Sequence, residues 1–150
     1  MFDVVQGPID AEAVRRAVAE PSARKAGAVV VFHGTVRDET RGRRVRFLEY
    51  EAYRPMAVST LEAVARDAAR AHGLSAVACV HRVGRLDPGE VAVVVAVAAP
   101  HRAAALQGVE AFVSRMKRDV PIWKKEHFED GAVWVGSPDD PQGERATVPA

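Results

Sequence analysis

No feature of this chain constrains its fold more than the run Val91–Pro100, VAVVVAVAAP. Its nine consecutive valines and alanines are too few to cross a bilayer, which takes about 20 apolar residues as a helix, so the run is read as a buried β-strand. A chain of 150 residues with 48% apolar content can surround such a strand with a single core, which predicts one domain. The one cysteine, Cys79, excludes an internal disulfide and a Cys-based zinc cluster, so the core alone must hold the fold. Lys plus Arg is 21 and Asp plus Glu is 20, and a net charge of +1 gives no general attraction to nucleic acid or an anionic membrane. Any anion site must be local. The opening MFDVVQGPIDAEAV lacks the basic start and unbroken apolar core of a signal peptide, and a cytoplasmic location is the expectation.

Around the central run, strand and helix signals alternate. Phe2–Gln6 is a short β-rich segment, and Asp10 stands where an N-cap belongs for a helix through Ala19, with Glu12 in its first turn. Ala28–Val36 is β-branched and reads as a strand, whereas the charged, Gly-containing stretch 37–44 (RDETRGRR) reads as an exposed loop. Val45–Tyr53 resumes a strand, with Phe47, Glu49, Glu51 and Tyr53 on a mixed face and Leu48, Tyr50 and Ala52 on an apolar one. Pro55 opens and Gly73 closes an amphipathic helix marked by Leu61, Val64, Ala65 and Ala68. Leu74–Val83 and Glu90–Ala99 are predicted to form a hairpin across Leu86-Asp87-Pro88-Gly89. Leu106, Val109, Val113 and Met116 mark a long helix over 101–119, which Pro121 forbids from continuing. Ile122–Phe128 and Ala132–Val135 then pair around Glu129-Asp130-Gly131. The order predicts an α+β fold, a mostly antiparallel sheet with helices packed on one side. Its single domain is expected over residues 1–136, with a loosely ordered, proline-rich tail at 137–150.

Residues with chemical potential gather at element ends, where sites usually sit. They are Arg37 after a strand, His101-Arg102 at a helix start, Lys117 in that helix's last turn, and Lys124-Lys125 beyond Pro121. Lys117 is four residues from Val113 and continues the helix side that faces the body, and the turn at Pro121 brings Lys124 back nearby. A lysine among Arg37, Arg102 and a second lysine feels like charges that disfavour its ammonium form, which is how an amine becomes a nucleophile or general base. The arginines and the backbone N–H groups near His101 and Arg102 suit a phosphate.

On the residues alone, other readings stand beside this one. Lys117 also complements the helix dipole, worth about 0.3–1 kcal/mol, and Arg37 also suits a solvated loop. The same basic cluster fits a module that captures a partner's acidic tail, or a small phosphate-ester hydrolase. His81 is expected to be structural, its ring satisfied by a backbone carbonyl, and Cys79 to be a buried, poorly nucleophilic thiol. His33, His72 and His127 have no metal-like spacing, so no metal is expected. No Gly-rich phosphate loop, Gly-x-Ser-x-Gly elbow or dinucleotide fingerprint is present, and no cofactor is expected either.

Three segments together resemble the catalytic, large subunits of molybdopterin synthases: VFHGTVRDET with LEYEAYRPMA, then VHRVGRLDPGE, then PHRAAALQGVEAFVSRMKRDVPIWKKE. The last is the most specific, because His-Arg, a lysine fifteen residues beyond that arginine, and Pro-Ile-Trp-Lys-Lys-Glu seldom coincide. The match runs from about Gly27 to Val135. The resemblance implies an α/β hammerhead-like fold and a sulfurtransferase of molybdenum cofactor biosynthesis that installs two dithiolene sulfurs on cyclic pyranopterin monophosphate. The sulfur donor it implies is the thiocarboxylated C-terminal glycine of a small ubiquitin-like subunit. It implies Lys117 and Lys124 as the catalytic residues, Lys117 lying where the partner's tail arrives. Substrate contacts are implied for Thr35, Val36, Arg37, His101, Arg102, Lys117, Lys124, Lys125 and Glu126. Of these, Arg37, His101 and Arg102 hold phosphate and pterin, and Glu126 orients a lysine. A homodimer with a small subunit at each outer end, a heterotetramer, is implied, with neither nucleic acid nor membrane as partner. Two positions depart from the family. Leu106 stands where an aromatic residue is frequent, and GSPDDP follows Trp134-Val135 where some members carry an arginine that reaches the neighbouring subunit's pocket, which leaves two alternatives, Arg145 as its substitute or no such contact.

Overall fold

The helices begin and end on residues suited to those positions. In the computed structural model, which describes residues 1–135 and the backbone alone of 144–148, the Asp10 carboxylate accepts from the Ala13 N–H at 2.9 Å and caps α1 (Ala11–Ala19). Pro55 lies in the first turn of α2 (Arg54–His72), and Gly73 ends it at φ 65°, a left-handed conformation that glycine adopts without a Cβ penalty. α3 (Arg102–Asp119) stops at Val120, which is extended because the following Pro121 disfavours a helical predecessor.

The spine of the sheet is β6 (Ala76–Leu86). It pairs antiparallel with β7 (Val91–Ala99) through residues 76–81, parallel with β1 (Phe2–Gln6) through 79–83, and antiparallel with β5 (Phe47–Ala52) through 84–86. Gly84, at φ 88°, stands at the changeover. β2 (Ala28–Thr35) lies beside β7, while β8 (Ile122–Phe128), β9 (Gly131–Val135) and β10 (Glu144–Val148) follow β5. The result is an eight-stranded sheet in the order β10-β9-β8-β5-β6-β7-β2, with β1 on β6. Stretch 37–44 is more ordered than the exposed loop expected. It holds a small ladder of β3 (Glu39–Thr40) and β4 (Arg43–Arg44), closed by Arg41 at φ 51° and Gly42 at φ 76°. Two successive positive φ values are the geometry of the tightest hairpin turns.

The fold is α+β and its sheet is mostly antiparallel, as the element order implies. The helices, however, do not all lie on one side. Val93, Val95, Val97 and Ala99 of β7 enter a core closed by Leu61 of α2 and Phe112 of α3, whereas Val94, Ala96 and Ala98 enter a second core closed by Val14 and Val18 of α1. This two-sided packing has a simple cause. A strand with no polar residue has two apolar faces, and each fully buried valine contributes about 1.5–3 kcal/mol only if its own face is covered. A third core, with Val36, Val45, Leu48, Leu86, Phe128 and Val133, joins stretch 36–45 to β5, β8 and β9.

The tail expected to be loosely ordered includes β10, paired with β9. The rest of that expectation, and the side chain of Arg145, fall outside the described residues. Leu106, the departure on α3, is exposed, so no core contact depends on the aromatic residue it replaces. Among the described residues no helix is long and apolar enough to cross a membrane. Phe112, at the junction of α3 with the sheet, is the largest of the fully buried side chains among the described residues. Phe112→Ala should cost about 3–5 kcal/mol, read as a lower urea midpoint with an unchanged slope.

Candidate active site

Strand alternation decides what β8 shows to each side of the sheet. Lys124 and Glu126 stand opposite Tyr50 and Leu48 of β5 on one face, while Lys125 and His127 stand opposite Glu49 and Phe47 on the other. The first face lines a cleft of about 1010 Å³, bounded also by the end of β2 and the last turn of α3. Six residues singled out from the sequence line it together: Thr35, Val36, Arg37, Lys117, Lys124 and Glu126. Phe32, Leu48, Val93, Met116 and Ile122 add apolar walls. The predicted return of Lys124 to the neighbourhood of Lys117 across Pro121 is thus what the chain does.

Glu126 is buried, and a carboxylate there needs partners. The Lys124 ammonium lies 3.1 Å from its Oε1, and the Thr40 hydroxyl donates to the same oxygen at 3.4 Å. An opposite charge, rather than the crowd of like charges suggested by the sequence, therefore neighbours Lys124. The Thr40 contact also ties the β3–β4 hairpin to the site. That hairpin is held from outside by Arg43, which donates to Asp130 at 2.7 Å and sits 3.8 Å over the Phe128 ring.

Three of the candidate residues do not line the cleft. Lys125 points to the opposite face, its ammonium 5.5 Å from the Trp134 ring centroid, because neighbouring residues of a strand alternate. His101 and Arg102 are exposed at the start of α3. Fifteen residues of helix separate Arg102 from Lys117, about 22 Å at 1.5 Å per residue, so within one chain they cannot share a site. Conversely, Thr40, Tyr50 and His81 line the cleft although sequence reasoning did not place them there. The alternation of β5, which puts Tyr50 beside Leu48, was the available signal for Tyr50. For Thr40 and His81 there was none, since the first depends on the hairpin and the second on how β6 meets β5.

Burial dominates the titration of this region. It pushes the Tyr50 hydroxyl up to about 12, helped by the Glu126 charge, and raises the Cys79 thiol, whose Sγ lies 3.8 Å from Met116 Sδ. His81 is pushed down to about 4 by burial, against the weaker opposing effect of its Nδ1 contact with the Arg82 carbonyl at 2.8 Å. That contact is the structural role expected for the ring. Among the described residues no group of three His, Cys, Asp or Glu is placed to hold a metal ion.

The unfolded chain carries this imidazole at its ordinary 6.5, so between pH 6.5 and 4 it binds more protons than the folded one. Stability from the neutral ring is fully present above pH 6.5 and is lost as pH falls towards 4, by about 3 kcal/mol. Urea titrations of wild type and His81→Gln over this range should show a shallower pH dependence in the variant. Parallel pH profiles would remove His81 as the cause.

The profile of the MoaE protein family matches residues 4–119. The molybdopterin synthase catalytic subunit of Bacillus subtilis (strain 168) is 45% identical over 135 residues, covering 90% of this chain and 84% of that protein. Its counterpart in Halalkalibacterium halodurans is 43% identical over 135 residues, covering 90% of this chain and 85% of that protein. Among solved structures, molybdopterin synthase from Staphylococcus aureus superposes with a TM-score of 0.83 at 41% identity, covering 90% of this chain and 96% of that one. A molybdopterin cofactor biosynthesis protein E from Burkholderia multivorans gives 0.75 at 36% identity, covering 91% of this chain and 88% of that one. Similarity of this extent, over a fold whose cleft gathers Lys117 and Lys124 of the MKRDVPIWKKE segment, places the chain in the MoaE protein family, that of the molybdopterin synthase catalytic subunits.

Proposed function

We propose that this chain is the catalytic subunit of a molybdopterin synthase that transfers two sulfurs to cyclic pyranopterin monophosphate in molybdenum cofactor biosynthesis. The observation that carries the reading is the convergence of Lys117 and Lys124, from a helix end and a strand, on one cleft with Arg37. The sulfur comes from the thiocarboxylated tail of a small ubiquitin-like subunit, and the buried Cys79 is in no position to supply it. Lys117, exposed at the end of α3, meets the incoming tail and assists release of its sulfur. Lys124, paired with Glu126, manages protons at the pterin, and Glu126 with Thr40 positions it. Thr35, Val36 and Arg37 contact the substrate at the end of β2, and Lys125 can do so only through its main chain. The setting is the cytoplasm.

His101 and Arg102 enter this reading through the homodimer. They lie too far from their own cleft, so they serve the cleft of the second copy, adding their positive charge and the N-terminal N–H groups of α3 to its phosphate site. One small subunit on each outer side completes a heterotetramer.

Mass spectrometry of the pterin after incubation with this chain and its thiocarboxylated partner should show a gain of two sulfurs, abolished by Lys117→Ala or Lys124→Ala. A stable complex without sulfur transfer would instead indicate a module that only binds the partner's tail. Lys117→Ala and Arg102→Ala should each be inactive alone. Co-refolded together they should recover about a quarter of wild-type activity, because half of the dimers then carry one intact site. No recovery would mean that Arg102 does not act across the dimer.

A further inference from the structure

The proposed chemistry uses the charged residues of the cleft and leaves two neutral ones without a role. Tyr50 stands opposite Lys124 in the β5–β8 ladder, and its ring meets His81 edge-on, with centroids 5.0 Å apart and planes at 68°. His81 Nδ1 is 2.8 Å from the Arg82 carbonyl oxygen, so the ring proton sits there and donates, leaving Nε2 as an acceptor. Among the described residues neither this nitrogen nor the Tyr50 hydroxyl has a protein partner, and neither is sealed from solvent. Both residues line the cleft, beside the apolar side chains of Phe32, Leu48, Val93 and Met116. A flat ring fits such walls, and a donor next to an acceptor complements a ring edge that offers the reverse pair.

We infer that Tyr50 and His81 form a neutral donor–acceptor pair that reads the polar edge of a fused pyrimidinone, the pterin end of the substrate, while Arg37, with His101 and Arg102 of the second copy, holds its anionic end. This inference rests on the synthase reading and deepens it, assigning ring specificity to two residues with no role in sulfur transfer. Burial keeps each group in one form across the neutral range, with the imidazole unprotonated above about 4 and the hydroxyl protonated below about 12. The pair therefore does not compete with the arginines for the phosphate. A ring lacking the amide-like edge would leave two polar groups unpaired against an apolar wall, which is how sites of this kind reject isosteres.

The test is steady-state sulfur transfer by the full chain with its thiocarboxylated partner, comparing Tyr50→Phe and His81→Leu with wild type. Each should raise KM for the pterin by about five- to tenfold and leave kcat within about twofold, the signature of lost uniform binding. Two inhibitors separate the ends of the site. Phosphate-free pterin should inhibit both variants less well by the same factor, whereas inorganic phosphate should inhibit them as it does wild type. His81→Gln, which restores an acceptor, should lose less than His81→Leu. An unchanged KM, or equal weakening of both inhibitors, would overturn the inference, the second because it marks a general loosening of the cleft. If wild type transferred no sulfur, the synthase reading would fall on its own. Fluorescence binding of plain pterin would then decide the pair, with weaker binding to both variants supporting it and equal binding refuting it.

Discussion

Nine apolar residues in succession leave β7 with no face to give to water, and much of the molecule follows from how that demand is met. α1 covers one side, and α2 with α3 covers the other. Because α3 starts directly after β7, it must run back along the strand it covers. Its 18 residues span about 27 Å, close to the roughly 30 Å of the nine-residue strand. The helix therefore ends near Val91, the residue whose register partner is Thr35 at the end of β2. Lys117 and Arg37 thus come to one cleft because a core strand of a certain length had to be covered.

The second constraint is a buried carboxylate. Taking Glu126 out of water costs several kcal/mol unless its charge is compensated, and here the compensation comes from Lys124 two residues away on the same strand face and from Thr40 on a hairpin far away in sequence. One oxygen thereby joins the placement of Lys124 to that of the β3–β4 hairpin. A disturbance at either partner reaches the other through Glu126, although the two elements have no shared ladder.

Local signals made most elements readable: the Asp10 cap, Pro55 and Gly73 around α2, Pro121 after α3, and the Asp130-Gly131 turn between β8 and β9 all do in the structure what their chemistry favours. The meeting of Lys117 and Lys124 was readable too, since it depends on helical period and one proline. What escaped depends on tertiary partners. The side on which α1 packs is set by which face of β7 remains uncovered, the β3–β4 ladder by Arg43 finding Asp130 and Phe128, and the inclusion of Tyr50 and His81 in the cleft by the junction of β5 with β6. Arg102 was grouped with Lys117 by charge, and the length of the helix between them separates them.

The division of β8 into two faces has a consequence for how such a chain can vary over evolution. Lys124 and Glu126 face the cleft, while Lys125 and His127 face Trp134, Phe47 and Glu49 on the far side. An insertion or deletion of a single residue between Pro121 and Lys124 would reverse that parity, turning the pair Lys125 and His127 inward and sending the Lys124–Glu126 pair out. Many substitutions on the outer face are compatible with the site, but a frame of one residue is not. Length in this segment is under a stricter constraint than identity, and homologous chains that work by the same cleft are expected to hold the spacing from proline to lysine constant even where the residues between them differ.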